Sequence, residues 1–159
     1  MRTMLSRFLV IGLVVLAFAP AYAQVETEIA TERAQLQSDR QAIVAANLPL
    51  TEEQAKAFWP LYREYRGEIQ KLGDQLVDLI KGYATNYGAV SDEQAATMLD
   101  EMLTLQKNQL KVKSGWVSKF GKVLPPKTVA RFYQIENKLD AIMLYEAAAV
   151  IPLVENDTK

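Results

Sequence analysis

The sequence predicts an all-α protein: an elongated helical hairpin of three long antiparallel helices, with a further helix before it. Apolar residues recur at steps of three and four along three long stretches of the chain, which is the period of one helix face. Helix-start signatures precede two of these stretches, and a Pro-Pro pair precedes the third. Long helices joined by short turns pack as antiparallel neighbours, which is why we expect hairpins.

The first 23 residues have the organisation of a secretory signal peptide. Arg2 and Arg7 give a positive start, Phe8–Ala19 is an apolar run of 12 residues, and Ala21–Ala23 is a small-x-small cleavage site. The alternative is an uncleaved anchor, but the run is shorter than the roughly 20 residues that span a bilayer. We therefore predict cleavage after Ala23 and a periplasmic protein.

The composition excludes several classes of site. The chain has no histidine and no cysteine, so it lacks the usual general base, the usual transition-metal ligands and any Cys-His or Ser-His-Asp centre. Carboxylates four residues apart, as in Glu64/Glu68 and Asp74/Asp78, are more typical of a solvated helix face than of an acid–base pair. We expect no enzymatic activity, no cofactor and no metal.

Removing Arg2 and Arg7 with the signal peptide shifts the net charge from −1 to −3. Export argues against a nucleic-acid partner.

The mature chain begins with a predicted N-terminal helix, residues 24–47. Its apolar line is thin, with Ile29, Leu36 and Ile43 spaced seven apart. Such a narrow stripe fits a helix lying on a larger body or a mobile arm. Leu48-Pro49 ends this helix and opens the helical-hairpin domain, residues 48–154.

The second helix is predicted from Glu52 to about Ala84. Thr51 and Gln54 have the spacing of a capping box, in which each side chain bonds the other residue's backbone N–H. Pro60 lies inside the apolar pattern, which continues in phase, so we expect a kink and not a break. Residues 83–88 are predicted as the turn. The seam consists of Ala55, Phe58, Tyr62, Tyr65, Ile69, Leu72, Leu76, Leu79 and Tyr83.

The third and fourth helices follow the same logic. Ser91 and Gln94 repeat the capping signature, and Ser114-Gly115 marks a possible bend in the third helix. Pro126 suits the first turn of a fourth helix that runs to about Val150. Residues 147–154 are apolar on more than one side, so they either dock on the bundle or offer a patch to a partner. Residues 155–159 are predicted to be a frayed tail.

Positive charge is concentrated between Met102 and Ile135. This segment of 34 residues has seven basic residues and no acidic one. One interpretation is a basic, partly apolar surface that binds an acidic unfolded chain, an anionic lipid surface or an acidic partner domain. The other is a solvated helix face, with Trp116 and Phe120 in the core. The candidate binding residues are Lys107, Lys111, Lys113, Trp116, Lys119, Phe120, Lys122, Lys127 and Arg131.

An aromatic group near the start of the second helix could line a cleft or belong to the core. Phe58, Tyr62 and Tyr65 fall on the seam, and helical spacing of aromatic residues is more typical of a core. Trp59 lies off the seam. It is therefore added to the candidate binding residues as the best exposed contact.

The chain resembles the Spy/CpxP-type periplasmic proteins. Leu50, Thr51 and Gln54 match their Leu-Thr-x-x-Gln motif. Where a second copy of the motif is expected, residues 124–128 read Leu-Pro-Pro-Lys-Thr and depart from it. Residues 58–62 and 134–140 also resemble a branch of exported proteobacterial proteins. The resemblance covers about residues 48–150 and implies a helical-hairpin fold, often a cradle-shaped dimer, and a role in envelope stress. Some such proteins are ATP-independent chaperones and others inhibit a sensor kinase.

Two functions are therefore expected from the sequence. The first is a periplasmic envelope-stress binding protein, which shields unfolded or membrane-associated clients on a basic and apolar helical surface without nucleotide. The alternative is a regulatory or structural partner of a membrane sensor or envelope complex. A homodimer is expected in either case, because long single apolar seams are buried better by a second copy.

Overall fold

A computed structural model describes residues 38–155 of the chain. The predicted signal peptide, residues 24–37 of the predicted N-terminal helix and residues 156–159 of the tail lie outside the described residues. The all-α prediction is confirmed for residues 38–155, which form four helices and no strand. These are α1 (residues 38–47), α2 (Glu52–Asn86), α3 (Asp92–Phe120) and α4 (Pro126–Val150).

The chain divides into two compact units, Met1–Ile43 and Val44–Lys159. In the first unit, the described residues 38–43 are helical. The second unit contains the end of α1 and the whole of α2, α3 and α4.

Both predicted capping boxes are confirmed. At the start of α2, the backbone N–H of Gln54 donates to Thr51 Oγ1 over 3.2 Å, and the backbone N–H of Thr51 donates to Gln54 Oε1 over 3.1 Å. Ser91 and Gln94 make the same two bonds before α3, at 3.2 and 2.9 Å. Each box satisfies two backbone donors that a helix start otherwise leaves without partners.

The helices continue through their internal proline and glycine residues, and the turn between α2 and α3 is shorter than predicted. Pro60 lies within the uninterrupted α2, and Gly115 lies within the uninterrupted α3. The prediction that the turn begins at Tyr83 is wrong, because α2 continues to Asn86. Gly88 makes the turn with a φ of +79°, a left-handed conformation that glycine adopts without steric strain.

Aromatic side chains form much of the core of the second unit. Phe58 from α2, Phe120 from α3 and Phe132 from α4 meet with ring centroids 4.8 to 5.5 Å apart. The prediction that the α2 aromatic group belongs to the core is confirmed for Phe58, Tyr62 and Tyr65, which are buried. The buried cluster is completed by Val44, Leu48, Ile69, Trp116, Leu124 and Val129.

The second half of α4 is less buried than its apolar sequence predicts. Ile142 is 56% exposed, and Tyr145 is 78% exposed. The chain is nevertheless anchored beyond the helix, because the Tyr83 hydroxyl donates to the Pro152 carbonyl over 3.0 Å. Leu153 points to solvent and is 89% exposed. Within residues 38–155, no helix has the length and apolar character needed to cross a bilayer.

Candidate functional site

Most of the predicted basic residues lie on the surface. Five lysines are exposed, and they are Lys107, Lys111, Lys119, Lys122 and Lys127. Arg131 is also exposed, but its Nε donates to the Asn47 carbonyl over 2.7 Å and so holds the end of α1. Lys113 has a structural role as well, because its Nζ lies 2.6 Å from Asp140 Oδ2. The surface charge is therefore carried mainly by the five exposed lysines.

The aromatic members of the predicted site must be corrected. Trp116 and Phe120 are 2% and 0% exposed, so they belong to the core and do not contact a partner in this structure. The alternative interpretation, in which both are core residues, is confirmed. Lys119 still links the two regions, because its Nζ lies 3.6 Å from the centroid of the Trp116 ring. A cation over a ring face is attracted by the ring quadrupole.

Trp59 is half-buried and not the open contact that its position off the seam suggests. Its ring packs edge-on against Phe58 and Tyr62, with centroids 5.1 and 5.4 Å away. It closes one side of the aromatic core and leaves only part of its surface to solvent.

Sequence reasoning missed the apolar residues that do accompany the lysines. Leu103, Leu110 and Val117 on α3 are 52%, 65% and 46% exposed. They are spaced seven apart, so they share one side of the helix. The sequence contains this signal as a second line of apolar residues with a spacing of seven, beside the line that includes Trp116 and Phe120. We call Leu103, Lys107, Leu110, Lys111 and Val117 the α3 surface.

A buried polar cluster joins the three long helices. Arg66 Nη1 of α2 lies 3.2 Å from Glu136 Oε2 of α4, and the Glu136 side chain is fully buried. The Tyr133 hydroxyl donates to the Lys113 carbonyl of α3 over 2.7 Å. Burial first, and then the charge of Glu136, raises the pKa of Tyr133 to about 12. Paired charges and a protonated phenol indicate a structural network, since each polar group named here has a partner.

Burial also raises the pKa of Tyr65, with the negative charge of Glu136 as the next cause. Its hydroxyl is the one buried side-chain polar atom in the described part of the chain that has no hydrogen-bond partner. No three acidic side chains among residues 38–155 are grouped as a metal site requires. Within the described part of the chain, the cluster therefore offers no set of metal ligands.

The residues of the Leu-Thr-x-x-Gln motif have local roles. Leu50 is half-buried and packs against the core, while Thr51 and Gln54 form the capping box. Helix initiation is sufficient to explain these residue types.

Comparison with known proteins finds no match to this chain among protein-family models, curated proteins or solved structures.

Proposed function

We propose that this protein is a periplasmic envelope-stress binding protein that shields unfolded clients without nucleotide. The observation that carries the proposal is the α3 surface, where exposed Leu103, Leu110 and Val117 lie among exposed lysines. Unfolded chains present apolar side chains and acidic residues, and such a surface attracts both. Apolar contacts hold the client, and positive charge speeds its encounter.

The arrangement of the helices supports this proposal. Phe58 meets Phe120 near the start of α2 and the end of α3, which fits an antiparallel pair. Lys113 meets Asp140, which fits a second antiparallel pair of α3 and α4. We therefore propose a three-helix hairpin in which α3 is the middle helix along the chain and presents one side to solvent.

Further parts of the proposal rest on the sequence. The signal-peptide organisation of residues 1–23 supports export to the periplasm, and the Leu-Thr-x-x-Gln motif supports kinship with Spy/CpxP-type proteins. Exposed apolar side chains on α3 and α4 support a homodimer, because a second copy would remove them from water. Anionic envelope lipid is a further surface to which the lysines would bind.

A client-aggregation assay tests the proposal. The mature protein should suppress aggregation of a chemically denatured client at near-stoichiometric ratios without ATP. The double variant Leu103→Ser/Leu110→Ser should lose most of this effect, while Leu153→Ser, which alters an 89% exposed leucine elsewhere, should keep it. Equal suppression by both variants, or none by the unmodified protein, would overturn the assignment.

The alternative, a partner of a membrane sensor or envelope complex, is favoured by one observation. Leu103, Leu110 and Val117 repeat every seven residues, a spacing that suits one helical partner better than varied clients. Pull-down from envelope extracts distinguishes the two functions. A regulator should retain one dominant protein, and that protein should be lost with Leu103→Ser/Leu110→Ser.

A further inference from the structure

A groove of about 780 Å³ lies between α2 and α3, beside the turn that joins them. Its size falls within the range of sites that bind small ligands and short peptide segments, roughly 300–1,000 Å³. It is made by the last three turns of α2 and the first five of α3. None of the basic residues between Met102 and Ile135, which include Lys107 and Lys111, lines the groove.

The floor of the groove is apolar. Leu79 of α2, Val90 of the turn, and Met98 and Leu105 of α3 line it, and each is half-buried. Gly82 also lines the groove, and a Cβ added there would meet no atom within 4 Å. The glycine therefore leaves open space above the floor, next to side chains that are only partly removed from water.

The rim of the groove is acidic. Asp78, Glu93 and Glu101 line it, all three are exposed, and no ion pair reaches them from residues 38–155. No lysine or arginine is among the lining residues. Three carboxylates with no cation among the lining create a negative potential along an apolar cleft, and this potential attracts a positively charged ligand.

We propose that this groove binds a cationic amphipathic segment, a short stretch of chain with leucine-like residues on one side and lysine or arginine on the other. The apolar side would cover Leu79, Met98 and Leu105, and the cations would pair with the acidic rim. Residues 75–86 of α2 extend about 16 Å at 1.5 Å per residue, which matches a ligand of about three helical turns. The ligand has the opposite charge to the clients proposed for the α3 surface.

The test uses two labelled synthetic peptides of 14 residues. One has leucines at steps of three and four with lysines between them, and the other has glutamates in place of the lysines. Fluorescence anisotropy with the mature protein should show binding of the lysine peptide only. The affinity should fall about tenfold when salt is raised from 50 to 300 mM, because salt screens the interaction between exposed charges.

Two pairs of variants locate the site. Gly82→Leu fills the groove and should weaken binding of the lysine peptide about tenfold or more. Gly73→Leu is the matched control, because Gly73 is also an exposed glycine of α2 with no atom within 4 Å of an added Cβ, and it does not line the groove. Asp78→Asn/Glu101→Gln should weaken binding several-fold, while Glu68→Gln, an exposed α2 carboxylate outside the groove, should not.

No binding of the lysine peptide, equal binding of the glutamate peptide, or equal affinity of the Gly82→Leu and Gly73→Leu proteins would overturn the proposal. Because Leu103→Ser/Leu110→Ser alters only the α3 surface, it should leave peptide affinity unchanged. Failure of the client-aggregation assay therefore does not affect this inference, and failure of peptide binding does not affect the proposed function.

Discussion

Arg66 and Glu136 form an ion pair in which the two partners differ in their access to water. The Glu136 side chain is 0% exposed, whereas that of Arg66 is 20% exposed, with 3.2 Å between Nη1 and Oε2. A buried charge that loses its partner is strongly destabilising, because the protein interior solvates it poorly. A partly exposed charge that loses its partner regains water.

The first prediction follows from this asymmetry. Arg66→Met removes the Arg66 cation from beside the fully buried Glu136 carboxylate and should lower the free energy of unfolding by up to about 3–5 kcal/mol. Glu136→Gln leaves Arg66 to be hydrated and keeps an amide oxygen as acceptor, so the loss should be smaller, about 1–2 kcal/mol. Urea unfolding of both variants measures the difference. An equal loss, or a larger one for Glu136→Gln, would contradict it.

The second prediction concerns Tyr65, which is 0% exposed and whose hydroxyl has no partner in the described part of the chain. Removing a buried polar atom that has no hydrogen bond relieves its desolvation penalty. Tyr65→Phe should therefore raise stability by about 1 kcal/mol, seen as a higher Tm. Tyr133→Phe is the matched control, and it should lower stability by about 1 kcal/mol because the Tyr133 hydroxyl donates to the Lys113 carbonyl.

The third prediction is a loss of stability in alkali. The pKa of Tyr133 is raised from 10.0 to about 12, chiefly by burial, and that of Tyr65 is raised further by the same cause. Below pH 10 both phenols are protonated in the folded and unfolded chains, and their contribution to stability is complete. As pH rises through about 12, the unfolded chain has released the protons that the fold retains, so stability falls.

Chemical unfolding at a series of pH values from 8 to about 12 measures this loss. Tyr133→Phe should make the fall between pH 10 and about 12 shallower, whatever its effect on stability at pH 8. Tyr145→Phe alters a tyrosine that is 78% exposed and serves as control. A pH slope unchanged by Tyr133→Phe would argue against a raised pKa.

The fourth prediction concerns the two capping boxes. Thr51→Ala and Ser91→Ala each remove a side-chain acceptor at a helix start, and each should destabilise the protein by about 1 kcal/mol. Thr51→Ser and Ser91→Thr keep a hydroxyl, so the stability of these variants should be close to that of the original protein. If alanine and hydroxyl variants unfold at the same denaturant concentration, the boxes contribute nothing measurable.

Local signals were sufficient for much of the fold. Thr51 and Gln54, Ser91 and Gln94, and the Pro125-Pro126 pair located three helix starts, because capping depends on residues a few positions apart. The predicted end of α2 is too early, because Tyr83 is a helical residue. Its hydroxyl donates to the Pro152 carbonyl, 69 positions later, and a local sequence pattern cannot reveal such a contact.

The candidate site was harder to predict for the same reason. Charge segregation correctly predicts that Lys107 and Lys111 lie on the surface, but it leaves open whether Trp116 and Phe120 belong to that surface or to the core, where the structure has them. Helical periodicity shows which residues share a face, and it does not show which of two apolar faces packs inward. Phe132 and Phe58 decide that question for α3, and both are contributed by other helices.

The position of Lys119 above Trp116 gives the protein an internal optical signal. The ammonium group of Lys119 lies 3.6 Å from the centroid of the Trp116 ring, so its charge affects the fluorescence of the indole. The ring itself is shielded from solvent. A polyanionic ligand that draws Lys119 away would change the intensity of tryptophan emission without any label. Trp59→Phe would leave Trp116 as the sole tryptophan of the chain, so engagement of the exposed lysines could be followed in real time.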